Sequence, residues 1–180
     1  MRIQNISNTK EIVDLWDVGN YFQSTAGEER KLMDTMDYNV KGVKSFRGLE
    51  GQGFNATLYR GKVKIAFVID EANGGCYHYD WFDRAEDKRL RDYCETLPKE
   101  AVYDMEIAVD PDILVSELVE RYENDKKFSR LCKVSTLFRL KGDPEGQYQV
   151  YKKVPYNEAM KKHLVEKYGD TVEEILNEKY

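Results

Sequence analysis

Three glycines crowd the stretch GLEGQGFNA at positions 48, 51 and 53, and glycine at that density can let a backbone cradle a phosphate. A P-loop, however, needs G-x-x-x-x-G-K-[ST] opening a helix, and a Rossmann turn needs a strand before its glycines and a helix after them. Here the glycines run into alternating strand pattern, which fits neither. The glycine-rich hairpin of protein kinases matches at Gly51 and Gly53. Ala56 then replaces its third glycine, apolar residues stand where the phosphate-pairing lysine belongs, and no HRD-like or DFG-like run follows. Gly48, Gly51 and Gly53 are therefore expected to shape a turn or bulge.

Two further clusters have metal-ligand chemistry. In CYHYDW the strand period places Cys76, His78 and Asp80 on one face and Tyr77, Tyr79 and Trp81 on the other. A thiolate, an imidazole and a carboxylate in a row can ligate zinc, yet no second ligand pair lies at a usual spacing, and the only other histidine is His163. Asp70, Glu71, Asp80 and Asp83 resemble a magnesium set, but no lysine completes a nuclease pattern, and acidic residues commonly flank turns. No metal and no cofactor is expected. Tyr79 and Trp81, the more apolar set, are expected to face the core, with His78 outside.

The third constellation is electrostatic. Lys41, Lys44, Arg47, Arg60, Lys62 and Lys64 oppose Glu50 alone across residues 41–69, and they interleave with Phe46, Phe54 and Tyr59. Basic residues among aromatics on a sheet can hold single-stranded nucleic acid, while lysines on a sheet edge also discourage aggregation. Residues 70–125 carry seventeen acidic and six basic side chains, a net of −11, and residues 126–165 return to a net of +7. Within the acidic block, Asp104, Glu106 and Asp110 are candidates for docking against a basic protein partner. The overall charge of −5 conceals these alternating blocks.

The elements that must position these residues follow from periodicity. TKEIVDLWDVGNYF spaces Ile12, Leu15, Trp16 and Val18 as a helix would, and EERKLMDTMDYN suggests a second. FNATLYRGKVKIAFVID alternates Phe54, Ala56 and Leu58, then Val63, Ile65, Phe67 and Ile69, around Arg60-Gly61-Lys62, which predicts a hairpin. Asn73-Gly74-Gly75 predicts another turn before CYHYDWF, completing a three-stranded meander. EDKRLRDYCETLP reads as a helix, VYDMEIAVD as a strand, and DPDILVSELVERYENDKKFSRLCK as a long helix opened by an acidic cap and Pro111. TLFRLKGDPEGQYQVYKK predicts a hairpin turning at GDPEG; YNEAMKKHLVEKYG is a helix ending at Gly169, and DTVEEILNEKY one more. The expected class is α+β, an antiparallel sheet built from hairpins with helices on one face. One domain is expected over 1–180: a helical part at 1–37, a meander at 38–83 and a mixed part at 84–180.

With 180 residues, 41% hydrophobic and 34% charged, the chain is long enough to bury a core without staples. It has no apolar run of membrane-spanning or signal-peptide length, and its three widely spaced cysteines form no disulfide framework, so a cytoplasmic protein with reduced thiols is expected. KSFRGLEGQGFNATLYRGKVKIAFVIDEANGGCYHYDW, with TLFRLKGDPEGQYQVYKKVPY and the HLVEKYGD helix, resembles segments of small uncharacterised proteins of phages, prophages and plasmids. The likeness spans residues 38–180 in the order of hairpins and helices and carries no catalytic residues. It implies a non-enzymatic accessory protein of a mobile element, acting in the host cytoplasm by binding a host protein such as a defence nuclease, in the manner of anti-CRISPR or anti-restriction proteins. The alternative is a nucleic-acid-binding module using the hairpin at 41–64.

Overall fold

The computed structural model describes residues 11–13, 38–102, 105–144 and 146–180. They fall into two compact units divided between Asn124 and Asp125, with strand β1 (Glu11–Val13) belonging to the second. The fold is α+β, with antiparallel sheets built largely from hairpins. Among the described residues no helix is long and apolar enough to cross a membrane.

In the first unit β2 (Tyr38–Arg47), β3 (Gln52–Arg60), β4 (Val63–Asp70) and β5 (His78–Trp81) pair antiparallel in chain order. Helix α1 (Ala85–Cys94), the paired strands β6 (Glu100–Val102) and β7 (Met105–Ile107), and the first half of α2 (Pro111–Cys132) follow. Leu58, Ala66 and Val68 from the sheet share one buried cluster with Leu90 of α1 and with Leu114, Val115 and Leu118 of α2. Both helices therefore cover the same face. The meander gains one strand over the sequence reading: β2 lacks simple alternation, which hid it.

The missing alternation comes from two bulges. Lys41 pairs with Thr57 and Lys44 with Asn55, so Gly42 and Val43 together oppose Ala56. Gly42 takes φ +66°, the left-handed region that glycine enters at little cost. On β4, Lys64 pairs with Tyr59 and Ala66 with Leu58, leaving Ile65 as the extra residue. The expected inward row Val63, Ile65, Phe67, Ile69 breaks there: Ile65, Ala66 and Val68 are buried, whereas Val63 is 59% and Phe67 41% exposed. The inserted residue exchanges the faces beyond it.

The glycines of 48–53 serve the chain itself. Gly48 N–H donates to the Gly51 carbonyl (2.8 Å) and Glu50 N–H to the Ala72 carbonyl (2.9 Å), closing the β2–β3 turn. A Cβ at Gly53 would stand 2.3 Å from the Asp70 carbonyl oxygen and 2.9 Å from the Phe46 ring, an approach only glycine allows. The expectation for β5 holds as well. Tyr79 and Trp81 stack at 5.2 Å against the core cluster, while His78 and Asp80 are exposed. Because β5 is an edge strand, both rings stay half-buried. Asp112 of α2 accepts from Tyr77 N–H (3.0 Å) and from the Tyr79 hydroxyl (2.8 Å), fixing that edge to the helix start. Burial and the Asp112 carboxylate push the Tyr79 phenol far above its ordinary range.

In the second unit the strand order is β1, β9 (Tyr148–Tyr151), β8 (Thr136–Leu140), β10 (Val172–Ile175). Phe138 and Tyr151 pack with Met160 and Leu164 of α3 (Glu158–Tyr168), and Leu137, Val150 and Leu176 pack with Phe128 and Leu131 from the end of α2. Asn157 caps α3 by accepting from Met160 N–H at 3.0 Å, and the helix ends at Gly169.

Three helix expectations are corrected. Glu11–Val13, inside the helix expected through Ile12, is a strand paired to β9, and Tyr38 and Asn39, the last residues of the helix expected at EERKLMDTMDYN, open strand β2; the rest of both helices lies outside the described residues. DTVEEILNEKY is not a helix. It forms a single helical turn (Gly169–Thr171), strand β10 and a second turn (Leu176–Glu178). Pairing with β8 overrides the helix propensity of its glutamates.

That last turn is held by Asn177, whose Oδ1 accepts from Leu137 N–H (2.8 Å) and whose Nδ2 donates to the carbonyls of Cys132 (2.9 Å) and Ser135 (2.8 Å). Asn177→Asp keeps the acceptor but loses both donors and sets a carboxylate beside two carbonyls. It should cost about 2–3 kcal/mol in urea unfolding. An unchanged midpoint would show that the three bonds stabilise nothing.

Candidate nucleic-acid interface

The face of the β2–β5 sheet opposite the helices is built by strand alternation as the two bulges adjust it. Residues 41 and 44, or 64 and 67, fall on opposite faces of an unbroken strand. With the bulges, Lys41 and Lys44 both stand on the outer face, beside Thr57 and Asn55, and Lys64 shares that face with Phe67. Phe46, Tyr59 and Phe82 complete an aromatic set with Phe67. Phe46, Phe67 and Phe82 are 38%, 41% and 55% exposed. Phe46 lies over Gly53, and Phe67 meets Phe82 at 5.1 Å with a 60° tilt.

The lysines rest on these rings. Lys41 Nζ lies 4.8 Å from the Tyr59 centroid, and Lys64 Nζ lies 5.1 and 5.5 Å from those of Phe67 and Phe82. An ammonium over a ring face is attracted by the ring's negative quadrupole, so each cation is held near the surface without being neutralised. Such a surface offers flat apolar rings flanked by positive charge. An open cleft beside it, at the end of β2, is lined by Ser45, Phe46, Arg47, Gly51 and Gln52.

The other basic candidates lie elsewhere. Arg60 joins Glu86 of α1 in a bidentate pair, Nε and Nη2 each donating at 2.9 Å, and Arg89 also donates to Glu86. Glu86 is buried, and the Arg60 guanidinium holds its carboxyl below the usual 4.5. Arg60 thus serves the fold. By alternation Arg47 falls on the face opposite Phe46, and Lys62 sits in the β3–β4 turn. Phe54 is in the core.

Glu86→Gln removes the charge while keeping the shape, leaving Arg60 unneutralised at a part-buried site. It should destabilise the protein by about 1–3 kcal/mol at neutral pH. Because the folded-state pKa lies below the unfolded one, the wild type holds this stabilisation fully above pH 4.5 and loses it as pH falls through the depressed value. Urea midpoints of wild type and variant should converge in acid; parallel curves would refute the assignment.

Of the acidic trio, two members lie within the described residues. Asp110 caps α2, its Oδ1 accepting from Ile113 N–H at 2.8 Å, and Glu106 is exposed with Lys99 Nζ 4.0 Å away. Asp104 lies outside the described residues. No protein-family model, curated protein or solved structure matches this chain. The site therefore rests on its own geometry. Among the described residues no group of three or more His, Cys, Asp or Glu side chains is placed to hold a metal ion. Asp70 and Asp83 accept from Ala72 and Ala85 N–H in local turns, and Cys76 stands exposed before β5.

Sequence reasoning found Lys41, Lys44, Lys64, Phe46 and Tyr59 by type but missed Phe67 and Phe82 as their companions. The signal was the doublet Ile65-Ala66, two adjacent small or apolar residues where strict alternation expects one.

Proposed function

We propose that the open face of the β2–β5 sheet binds single-stranded nucleic acid. The observation that carries this reading is the pair of bulges, which set three lysines on the same face as four aromatic rings. Bases have no net charge and stack on aromatic side chains, while lysines between the rings meet the phosphates. Among the described residues no helix covers this face of the antiparallel sheet, which gives the strand a flat track.

A labelled mixed-sequence oligonucleotide followed by fluorescence anisotropy tests the proposal. Three lysine–phosphate contacts on a single strand give a slope of log K against log salt of about −2. A duplex of the same sequence should bind more weakly, since its paired bases hide their faces from the rings. Absence of binding at low salt, or binding indifferent to salt, would overturn the proposal.

The reading also accommodates the resemblance to accessory proteins of mobile elements. A protein that covers single strands can deny them to a host nuclease without an acidic docking surface. A pull-down from host lysate, with and without nuclease treatment, separates a strand-bridged partner from one held directly.

A further inference from the structure

We infer that Asp80 makes this face select guanine, a role that rests on the proposed strand-binding function. One transverse row of the sheet carries the inference. Lys41 of β2 pairs with Thr57 of β3, Thr57 with Phe67 of β4, and Phe67 with Asp80 of β5. Directly paired residues share a face, so a cation, a stacking ring and a carboxylate stand in line on the outer side. Lys41 and Asp80 are exposed, and the Phe67 ring between them is 41% exposed. Neighbouring strands lie about 4.8 Å apart, which puts the ring one strand from the carboxylate and two from the lysine. A nucleotide whose phosphate meets Lys41 can lay its base on Phe67, with the Watson–Crick edge, the edge far from the sugar, toward Asp80. The reverse orientation would set a phosphate against a carboxylate, so charge fixes the direction.

An ionised carboxylate only accepts hydrogen bonds, and its two oxygens suit two donors side by side. Guanine alone among the four bases has such an edge, with its ring N1–H beside its N2 amino group. Adenine and cytosine each set one amino donor beside an acceptor nitrogen, and thymine sets one imino donor between two carbonyls. In each of these a lone pair of the base faces one carboxylate oxygen. Guanine therefore gains two charge-assisted bonds where the other bases gain at most one.

The test uses short deoxythymidine strands in which one central thymine is replaced by guanine, hypoxanthine, adenine or cytosine. Hypoxanthine is guanine without its amino group, so it keeps the stacking surface and N1–H but loses the second donor. The wild type should bind the guanine strand about fivefold more tightly than each of the other three, the lower end of one bidentate base contact, because water reaches this face. Asp80→Ala removes both acceptors; an amide there would still match guanine through one donor and one acceptor. Asp80 is exposed, so the core is untouched, and circular dichroism checks that the variant is folded. The variant should bind all four strands within about twofold of one another. Equal binding of the guanine and hypoxanthine strands by the wild type, or an undiminished guanine preference in the folded variant, would overturn the role of Asp80 and leave the strand-binding proposal standing. No binding of any strand at low salt would overturn both.

Discussion

Replacing Lys41, Lys44 and Lys64 together by glutamate is expected to weaken single-strand binding by more than about a hundredfold and to abolish its dependence on salt. Each lysine that meets a phosphate releases counterions from the strand, and three such contacts account for most of the electrostatic attraction. Charge reversal replaces that attraction with repulsion on the same face. These side chains stand on the exposed side of the sheet, away from the cluster joining Leu58 and Val68 to Leu90 and Leu114, so the fold should survive. The control is built into the architecture. Lys62→Glu and Arg47→Glu each reverse one charge, as each substitution in the triple variant does, at the turn and on the other face, and each should leave affinity within about threefold. A folded triple variant that binds like the wild type would remove the electrostatic basis of the proposed function. Equal losses in the two controls would show a diffuse charge effect instead of a face.

Phe138→Ala should cost about 3–5 kcal/mol, a large part of the stability of an ordinary domain. Phe138 is 1% exposed, stacked on Tyr151 at 5.5 Å and tilted against Tyr168 at 5.3 Å. Truncation leaves a cavity beside two phenols whose hydroxyls, 3.1 Å apart, also engage Lys167 Nζ, which donates to Tyr151 at 3.0 Å. That cluster cannot close around the missing ring without breaking its bonds. Phe138→Leu should recover more than half of the loss. Val134→Ala, at a side chain 54% exposed, should change stability by less than about 0.5 kcal/mol. Chemical denaturation at fixed pH measures all three. A Phe138→Ala midpoint indistinguishable from wild type would mean that the ring contributes no packing energy.

Local signals in the sequence are read well where one residue type enforces one geometry. Asp110-Pro111 opens α2, Gly169 closes α3, and GDPEG turns between β8 and β9. Tyr79 and Trp81 fall inward because β5 keeps the strict period of two. What failed depended on partners distant in sequence. Val172–Ile175 has glutamates that favour a helix, but β8 offers a ladder of backbone hydrogen bonds that only an extended segment can use. β1 joins β9 for the same reason, across more than 130 residues that no local window spans. At the candidate site the residue types were legible but their sides were not. Arg60 looks like its basic neighbours until Glu86 of α1 is seen to claim it. Phe67 looks like a core residue until Ile65 is seen to stand outside the pairing.

The two bulges also set the kind of inherited change to which this face is sensitive. Substitutions on an exposed strand surface are mild, and the lysines and rings can vary in type while a usable surface persists. Loss of one residue depends on where it falls. Deleting Gly42 would leave Val43 alone opposite Ala56, the regular pairing of an unbroken ladder. Tyr38, Val40 and Val43 would stay on the core side and Lys41, Lys44 and Phe46 on the outer one, so the bulge is a spare residue that can absorb a deletion in β2. In β3 every residue from Phe54 to Leu58 has its own partner on β4, and losing one there would exchange the faces of all that follow. A library of single-codon deletions should therefore tolerate loss of Gly42 far better than loss of any residue between Phe54 and Leu58.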